Sequence, residues 1–147
     1  LIDLTNSTNI SKYINRVSLS EIVELILHIR DFDLRISQGD PSVVSQLAKS
    51  NGNINLFSFA SKYCTYHNAE VYERDDYSIF DNVVRDALPH YVSGLAKSAI
   101  MEWRRAYDYA AFNRCIGEIL AQKNIHIPFR RRKFDQFLWY VNHTKEK

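Results

Sequence analysis

The sequence predicts an all-α fold, a single compact domain over residues 1–147 with about six to eight helices and no sheet. Apolar residues recur at helical spacing along most of the chain, and no window shows sustained alternation bounded by hairpin turns. Four Gly and three Pro leave no flexible linker between domains. A hydrophobic share of 46% and an aromatic share of 13% exclude a disordered chain.

The first helix is expected to start at Ser18, since Ser18 and Glu21 have the spacing of a capping box. Its apolar positions predict a helix that packs along most of its length and ends at Gly39. Asp40 and Pro41 have the residue types of an N-cap and a first helical position, so a second helix should begin there.

The centre of the chain predicts two apolar helices joined by a polar loop. Asn51-Gly52-Asn53 is a turn signal, and Leu56 to Cys64 then predicts a helix that is apolar on more than one side and therefore central in the core. The polar loop is expected from Asn68 to Asp76. The second apolar helix is expected from Ile79 to Leu88, where Pro89 ends or kinks it.

Three helical stretches complete the chain. The first is expected from Ser93 to Tyr107 and continues or bends into the second, whose core side runs from Tyr109 to Leu120. Asn124 ends the second stretch, and Pro128 is expected to open the last helix.

Composition restricts the classes of function. Cys64 and Cys115 lie inside apolar helical patterns, which favours reduced, buried thiols and a cytoplasmic protein. No apolar run approaches the roughly 18 residues of a membrane span, so no membrane contact is expected. The five histidines are scattered without metal-ligand spacing, and no glycine loop suits a phosphate. We therefore expect neither a metal nor a cofactor.

The first candidate site is Asp81, which follows an acidic, tyrosine-rich loop and is expected in the first turn of a helix. A carboxylate there meets the positive end of the helix dipole and free N–H groups, which favour its ionised form. Such a carboxylate suits a site where a cation develops beside it. The alternative is that Asp81 only holds a helix start, because Ser78 and Asp81 have capping-box spacing.

Two motifs in this part of the chain resemble helix-hairpin-helix DNA glycosylases of the 8-oxoguanine type. The run from Ser78 to Arg85, Ser-Ile-Phe-Asp-Asn-Val-Val-Arg, resembles the family's Pro-Val-Asp-x-His-Val-x-Arg. The run from Phe59 to Cys64, Phe-Ala-Ser-Lys-Tyr-Cys, resembles the helix after its DNA-binding hairpin. The resemblance covers roughly residues 50–90 and implies that Asp81 is the catalytic carboxylate that stabilises the sugar cation as the base leaves.

The hairpin itself departs from the family pattern. Residues 50–55 read Ser-Asn-Gly-Asn-Ile-Asn, with one glycine and no proline. The resemblance implies contacts to DNA from Asn51, Gly52 and Lys62, but no lysine aligns with the Schiff-base nucleophile of the bifunctional members. If the protein is an enzyme, we therefore expect a monofunctional DNA N-glycosylase, which removes a base hydrolytically without cutting the strand; the alternative is a relative that has lost the chemistry.

The second candidate site is the basic run Arg130-Arg131-Arg132-Lys133, flanked by aromatic residues. Cations of this kind contact phosphates, which predicts a sequence-independent DNA surface. Four cations at a helix start also oppose the helix dipole, and an external anion would relieve that repulsion. The alternative is a solvated helix face balanced by acidic neighbours such as Asp135.

The third candidate site is a recognition loop formed by Tyr72 and Tyr77 together with Arg85. Exposed tyrosines bring contact area with few rotatable bonds, although both tyrosines equally suit packing of the loop onto the protein. The leading hypothesis is thus a DNA-binding relative of the glycosylases. The alternative is a non-enzymatic helical module that binds a protein or another acidic partner through its tyrosine-rich loop and basic end.

Overall fold

The computed structural model describes residues 18–145, which form eight α-helices, one short 3-10 helix and no strand. The all-α fold class predicted from the sequence is confirmed. None of the helices in this range is both long and apolar enough to span a membrane. In chain order the helices are α1 (Leu19–Leu27), α2 (Phe32–Ser37), α3 (Ser42–Ala48), α4 (Phe57–Tyr72), α5 (Asn82–Ala87), α6 (Lys97–Arg105), α7 (Tyr109–Gln122) and α8 (Arg130–Lys145), with the 3-10 helix Leu88–His90 after α5.

Helix α4 lies at the centre of the core, as its two-sided apolar pattern predicts. Phe57, Phe59 and Cys64 are fully buried. The Phe57 ring meets Phe80 edge to face at 4.9 Å, and Phe80 meets Phe112 of α7 in the same way at 5.1 Å. Edge-to-face pairs of this kind add about 0.5–1.5 kcal/mol beyond their buried area, so these rings join the middle of the chain to α7.

The long first helix predicted from Ser18 to Gly39 is wrong, because it is divided into α1 and α2. Asp31 adopts a left-handed conformation with φ 54°, which breaks the helix. Ile22 and Ile29 are buried as predicted, whereas Leu34 is 55% exposed, so the prediction is also wrong for Leu34. The next helix, α3, begins at Ser42, and the Asp40 carboxylate accepts a hydrogen bond from the Ser42 N–H (2.9 Å).

The predicted loop from Asn68 to Asp76 is also wrong in its first part, since α4 continues to Tyr72. Asn68 is buried, and its carboxamide donates to the Ile36 carbonyl and to the Asp76 carboxylate, each at 2.9 Å. A polar side chain that is satisfied in this way does not need solvent, so the helix runs through it. Glu73, with φ 54°, ends the helix.

Residues 73–81 form an extended segment between α4 and α5, where the sequence predicted a helix from Ile79. Ile79 and Phe80 are buried as the pattern requires, but they precede the helix. Side chains of the surrounding helices accept hydrogen bonds from backbone N–H groups of this segment. Three of its N–H groups donate in this way: Asp76 to Oδ1 of the Asn68 side chain, Ser78 to the Tyr109 hydroxyl and Phe80 to the Ser61 hydroxyl, at 3.1, 2.7 and 2.9 Å.

Gly39 holds the connection between α2 and α3 against this extended segment. Its φ is +74°, and a Cβ built on it would lie 2.6 Å from Cγ of Asp76. Two independent features therefore require glycine here: the left-handed backbone and the close approach of a side chain.

The C-terminal half keeps the predicted order of helices with later starts. Helix α6 begins at Lys97 instead of Ser93, and α8 begins at Arg130 instead of Pro128. Asn124 has φ 55° just beyond the end of α7, and Phe129 has φ 55° just before α8. Both helices are therefore bounded by single left-handed residues.

Candidate functional site

The Asp81 carboxylate lies where α4, the start of α5 and α8 meet. It is the N-cap of α5, one position before the predicted first turn, and its Oδ1 accepts the Val84 N–H (2.9 Å). Its Oδ2 accepts the indole N–H of Trp139 from α8 (3.0 Å). Asp81 is only 8% exposed. The carboxylate is thus held in one orientation by a donor on each oxygen.

The capping box between Ser78 and Asp81 does not form. The Ser78 hydroxyl accepts a hydrogen bond from Nη1 of Arg131 (2.7 Å), and its backbone N–H donates to Tyr109. Asp81 therefore caps the helix without a reciprocal partner.

Asp135 is the second carboxyl group of this site. Burial raises the pKa of Asp135 to about 7, and the negative charge of Asp81 adds to the rise, while Lys62 and Arg132 oppose it. Its Oδ1 is buried and accepts no hydrogen bond from residues 18–145. Asp135 is therefore able to take up and release a proton near neutral pH.

Lys62 is the cation of the site. It lies on α4 and is only 7% exposed, which is rare for lysine outside a charged partnership. Its positive charge lowers the pKa of Asp135. Two carboxyl groups and one ammonium group thus share a weakly solvated region between α4, α5 and α8, and we call Lys62, Asp81 and Asp135 the acidic cluster.

Two aromatic side chains border the acidic cluster. Trp139 is partly exposed while its indole holds Asp81. Tyr66 lies one helical turn beyond Lys62, and the Arg132 guanidinium sits 5.1 Å above its ring. Burial raises the pKa of Tyr66, which Arg132 opposes and Asp135 reinforces. The cluster is therefore flanked by flat surfaces of the kind on which a base stacks.

The basic run at the start of α8 does not form one surface. Arg131 turns inward, where Nη1 donates to Ser78 and to both the carbonyl and the side chain of Asn113 (3.0 and 2.8 Å). Arg132 faces Tyr66 and the acidic cluster. Arg130 and Lys133, one helical turn apart, lie on a third side beside a groove described below.

The anion expected at the start of α8 is supplied by the protein itself. The Asp75 carboxylate accepts the N–H groups of Arg131 (2.9 Å) and Arg132 (3.4 Å). A carboxylate here satisfies free N–H groups and offsets the dipole and the neighbouring cations. The single phosphate-binding surface predicted from Arg130 to Lys133 is therefore wrong for Arg131, which is committed to internal contacts.

The two tyrosines of the predicted recognition loop are not freely exposed. Tyr77 is buried, and its hydroxyl donates to the Asp40 carbonyl (2.8 Å). Tyr72 is half-buried and donates to the Asp33 carboxylate. Arg85 forms an ion pair with Asp86 (2.9 Å). Tyr72 and Tyr77 thus both contact the rest of the protein, as the packing alternative expects, and a role in recognition stays a prediction.

The predicted hairpin lies between α3 and α4, so a helix, a tight turn and a helix do follow one another. The Asn51 side chain accepts the N–H groups of Asn53 and Ile54 (3.2 and 3.1 Å), and Gly52 has φ +84°. These internal bonds occupy the donors through which the resemblance implies contact with a phosphate. A phosphate at this turn must therefore replace the Asn51 carboxamide.

Sequence reasoning missed Asp135 and Trp139 as members of the site. A signal was present, because both flank the core positions Phe134 and Leu138 and lie four residues apart on one helix face. An acidic residue so close to core positions suggests partial burial. No group of three metal-binding side chains occurs among the residues of the described range.

Comparison with known proteins adds two matches. A family described as HI_0787_N, an N-terminal domain, matches residues 1–71, which is just under half of the chain and stops before Asp81. An uncharacterized protein from Haemophilus influenzae is 26% identical over 147 residues, covering 96% of this chain. The chain spans 65% of the length of that curated relative. No solved structure matches the chain.

Proposed function

We propose that this protein binds DNA and removes a damaged base hydrolytically at the acidic cluster. One observation carries the proposal: Asp81, Lys62 and Asp135 meet in a weakly solvated region beside Trp139. This combination offers a fixed carboxylate, a proton-exchanging carboxyl group and an aromatic surface. The likeness of residues 50–90 to glycosylases supports the same assignment.

In this proposal Asp81 is the catalytic carboxylate. Its two hydrogen bonds, from Val84 and Trp139, fix its position before the sugar arrives. Preorganised charge aimed at a developing cation is a large source of rate enhancement, since no solvent reorganises during the reaction. The Trp139 ring, which is partly exposed beside the cluster, then stacks on the extruded base.

Asp135 transfers a proton from the attacking water to the departing base in this proposal. Base removal breaks the bond between C1′ and the base nitrogen, and the oxygen of a water molecule forms the new bond to C1′. One proton of that water leaves with the base, and the other remains in the new sugar hydroxyl. A carboxyl group whose pKa is about 7 suits the transfer, because it is populated in both protonation states near neutral pH.

Positive charge beside the cluster attracts the DNA backbone. Arg132 lies next to Tyr66 at the edge of the site, and Lys62 lies inside it. The turn at Asn51 and Gly52 is the second proposed backbone contact, with the rearrangement of Asn51 described above. These contacts are independent of sequence, so affinity should fall steeply as salt rises.

The first test is binding to a short duplex that carries a tetrahydrofuran abasic-site analogue, beside the intact duplex, over a salt series. We expect preference for the abasic duplex and steep loss of affinity at high salt. Equal affinity for the two duplexes, or no binding at low salt, contradicts a base-extrusion site.

The second test measures base release from an 8-oxoguanine duplex and from a panel of other damaged bases. Asp81→Asn is the informative variant because asparagine is also an effective N-cap, so the fold is retained while the charge is lost. We expect the variant to lose at least about 100-fold in rate, on the order of other electrostatic contributions. Activity that survives Asp81→Asn rules out the catalytic role of Asp81.

A further inference from the structure

A second feature lies away from the acidic cluster, on the opposite side of the start of α8. There the end of α7, the loop after it, Tyr91 just beyond the 3-10 helix, and α8 enclose an open groove of about 440 Å³. Its floor is apolar and is formed by Tyr91, Leu120 and Phe134. The Tyr91 and Phe134 rings meet edge to face at 5.6 Å, so the floor is a packed surface.

The apolar surface continues beyond the floor onto the rim. Ile127 is 51% exposed and Phe137 is 49% exposed, and both line the groove. The Phe137 ring stacks near Phe134 at 6.5 Å, which extends the apolar surface along one face of α8. Contiguous exposed apolar surface in a soluble fold is typical of an interaction site.

Three cations surround this surface: Lys123, Arg130 and Lys133. Lys123 lies 6.0 Å above the Tyr91 ring, and one Arg130 nitrogen donates to the Ile125 carbonyl (2.9 Å). Within the described range none of the three forms an ion pair, and no carboxylate lines the groove. Asp75 offsets part of the charge of Arg130, and the remaining positive charge around the groove favours an anionic partner.

We propose that this groove binds an acidic amphipathic helix of a partner protein, with its apolar face on Phe134 and Phe137 and its carboxylates against the three cations. Apolar side chains spaced three and four residues apart fill grooves of this shape. Three cations spread around the opening match several carboxylates on one helix. The site is separate from the acidic cluster and does not depend on the proposed base removal.

The probe is a fluorescein-labelled peptide of about 16 residues, long enough for a marginal helix, with Leu at helical spacing and Glu elsewhere. A peptide of identical composition with the leucines scrambled is its control. Fluorescence anisotropy of the whole chain should show binding of the amphipathic peptide at least about tenfold tighter than that of the scrambled one. Equal binding of both peptides, or none, overturns the proposal.

Variants of exposed residues locate the binding surface without disturbing the core. Phe137→Ser and Lys133→Glu should each weaken binding at least about tenfold. Leu34→Ser and Arg114→Glu change residues of similar exposure elsewhere and should leave it unchanged. Equal loss in the test and control variants overturns the assignment of the groove.

Charge exchange and competition separate a peptide from other anions. A variant with both Lys123→Glu and Lys133→Glu should bind a peptide with Lys in place of Glu better than the wild type does. An excess of laurate or of a short DNA duplex should not displace the acidic peptide. Displacement by either one identifies the groove as a lipid or phosphate site and overturns the proposal.

Discussion

The carboxylate of Asp75 caps the start of α8 from far away in the sequence: it accepts the N–H of Arg131, 56 residues further along the chain, at 2.9 Å. Capping residues usually precede their helix directly, whereas Phe129 stands before α8 and supplies no side-chain acceptor. The loop after α4 therefore fixes the start of α8, and through α8 the position of Asp135 and Trp139.

Removal of this cap should destabilise the protein. We expect Asp75→Ala to lower the free energy of unfolding by about 1–2 kcal/mol, because two N–H groups lose their acceptor beside a cluster of cations. Urea denaturation measures the loss. Glu73→Gln, a change to an exposed neighbour in the same loop, should cost much less, and equal losses would count against the capping role.

Two glycines with similar backbones provide a second prediction. Gly39→Ala should be far more destabilising than Gly52→Ala, although both have positive φ. Alanine in a left-handed conformation costs about 1–2 kcal/mol in each case. Only at Gly39 does a Cβ also collide with Asp76, so thermal unfolding should show a clearly larger loss there. Similar melting temperatures for the two variants would contradict the close approach.

A third prediction concerns Asp135 and pH. Its pKa is about 7 in the folded protein, against 3.8 as the ordinary value, so between these values the folded state holds a proton that the unfolded state releases. Its contribution to stability is therefore full at low pH and is lost as pH rises to about 7. Asp135→Asn removes this pH dependence, so the stability of the variant relative to the wild type should rise by up to about 4 kcal/mol across that window.

Urea denaturation of both proteins at a series of pH values tests this dependence. Asp86→Asn is a matched control, because ion pairing and hydrogen bonds lower the pKa of Asp86 instead. A stability difference between Asp135→Asn and wild type that stays constant with pH would show that the carboxyl group titrates normally.

Neighbouring arginines give a fourth prediction. Arg131→Lys should cost about 1–3 kcal/mol, since one ammonium group cannot reproduce the bonds to Ser78 and Asn113. Arg132→Lys should change the free energy of unfolding by less than about 0.5 kcal/mol, since a lysine also makes a cation–π contact with Tyr66. Chemical denaturation measures both losses. Equal losses would contradict the conclusion that Arg131 makes internal contacts that Arg132 does not make.

The all-α fold class could be predicted from the sequence because the spacing of apolar residues along a helix depends only on local backbone geometry. Val43, Val44 and Leu47 are buried on α3 as their spacing predicts. Boundaries were less predictable where tertiary contacts decide them. Asn68 reads as a loop residue, yet its bonds to Ile36 and Asp76 keep it inside α4.

The candidate site was only partly predictable for the same reason. Asp81 stood out because it follows an acidic loop and was expected in the first turn of an apolar helix, and its catalytic role stays a prediction. Asp135 could not be joined to it from sequence, because their proximity depends on how α8 packs against α5. The prediction of one surface from Arg130 to Lys133 was wrong because four adjacent residues on a helix point in different directions.

The extended segment from 73 to 81 has a consequence for hydrogen exchange. Its buried amides at Ser78 and Phe80 donate to the side chains of Tyr109 and Ser61, which belong to helices distant in the sequence. Local fraying of a helix cannot release them, since they belong to none. These amides should therefore exchange with deuterium only when α4 and α7 separate, so that a segment without regular structure reports on the cooperative opening of the whole core.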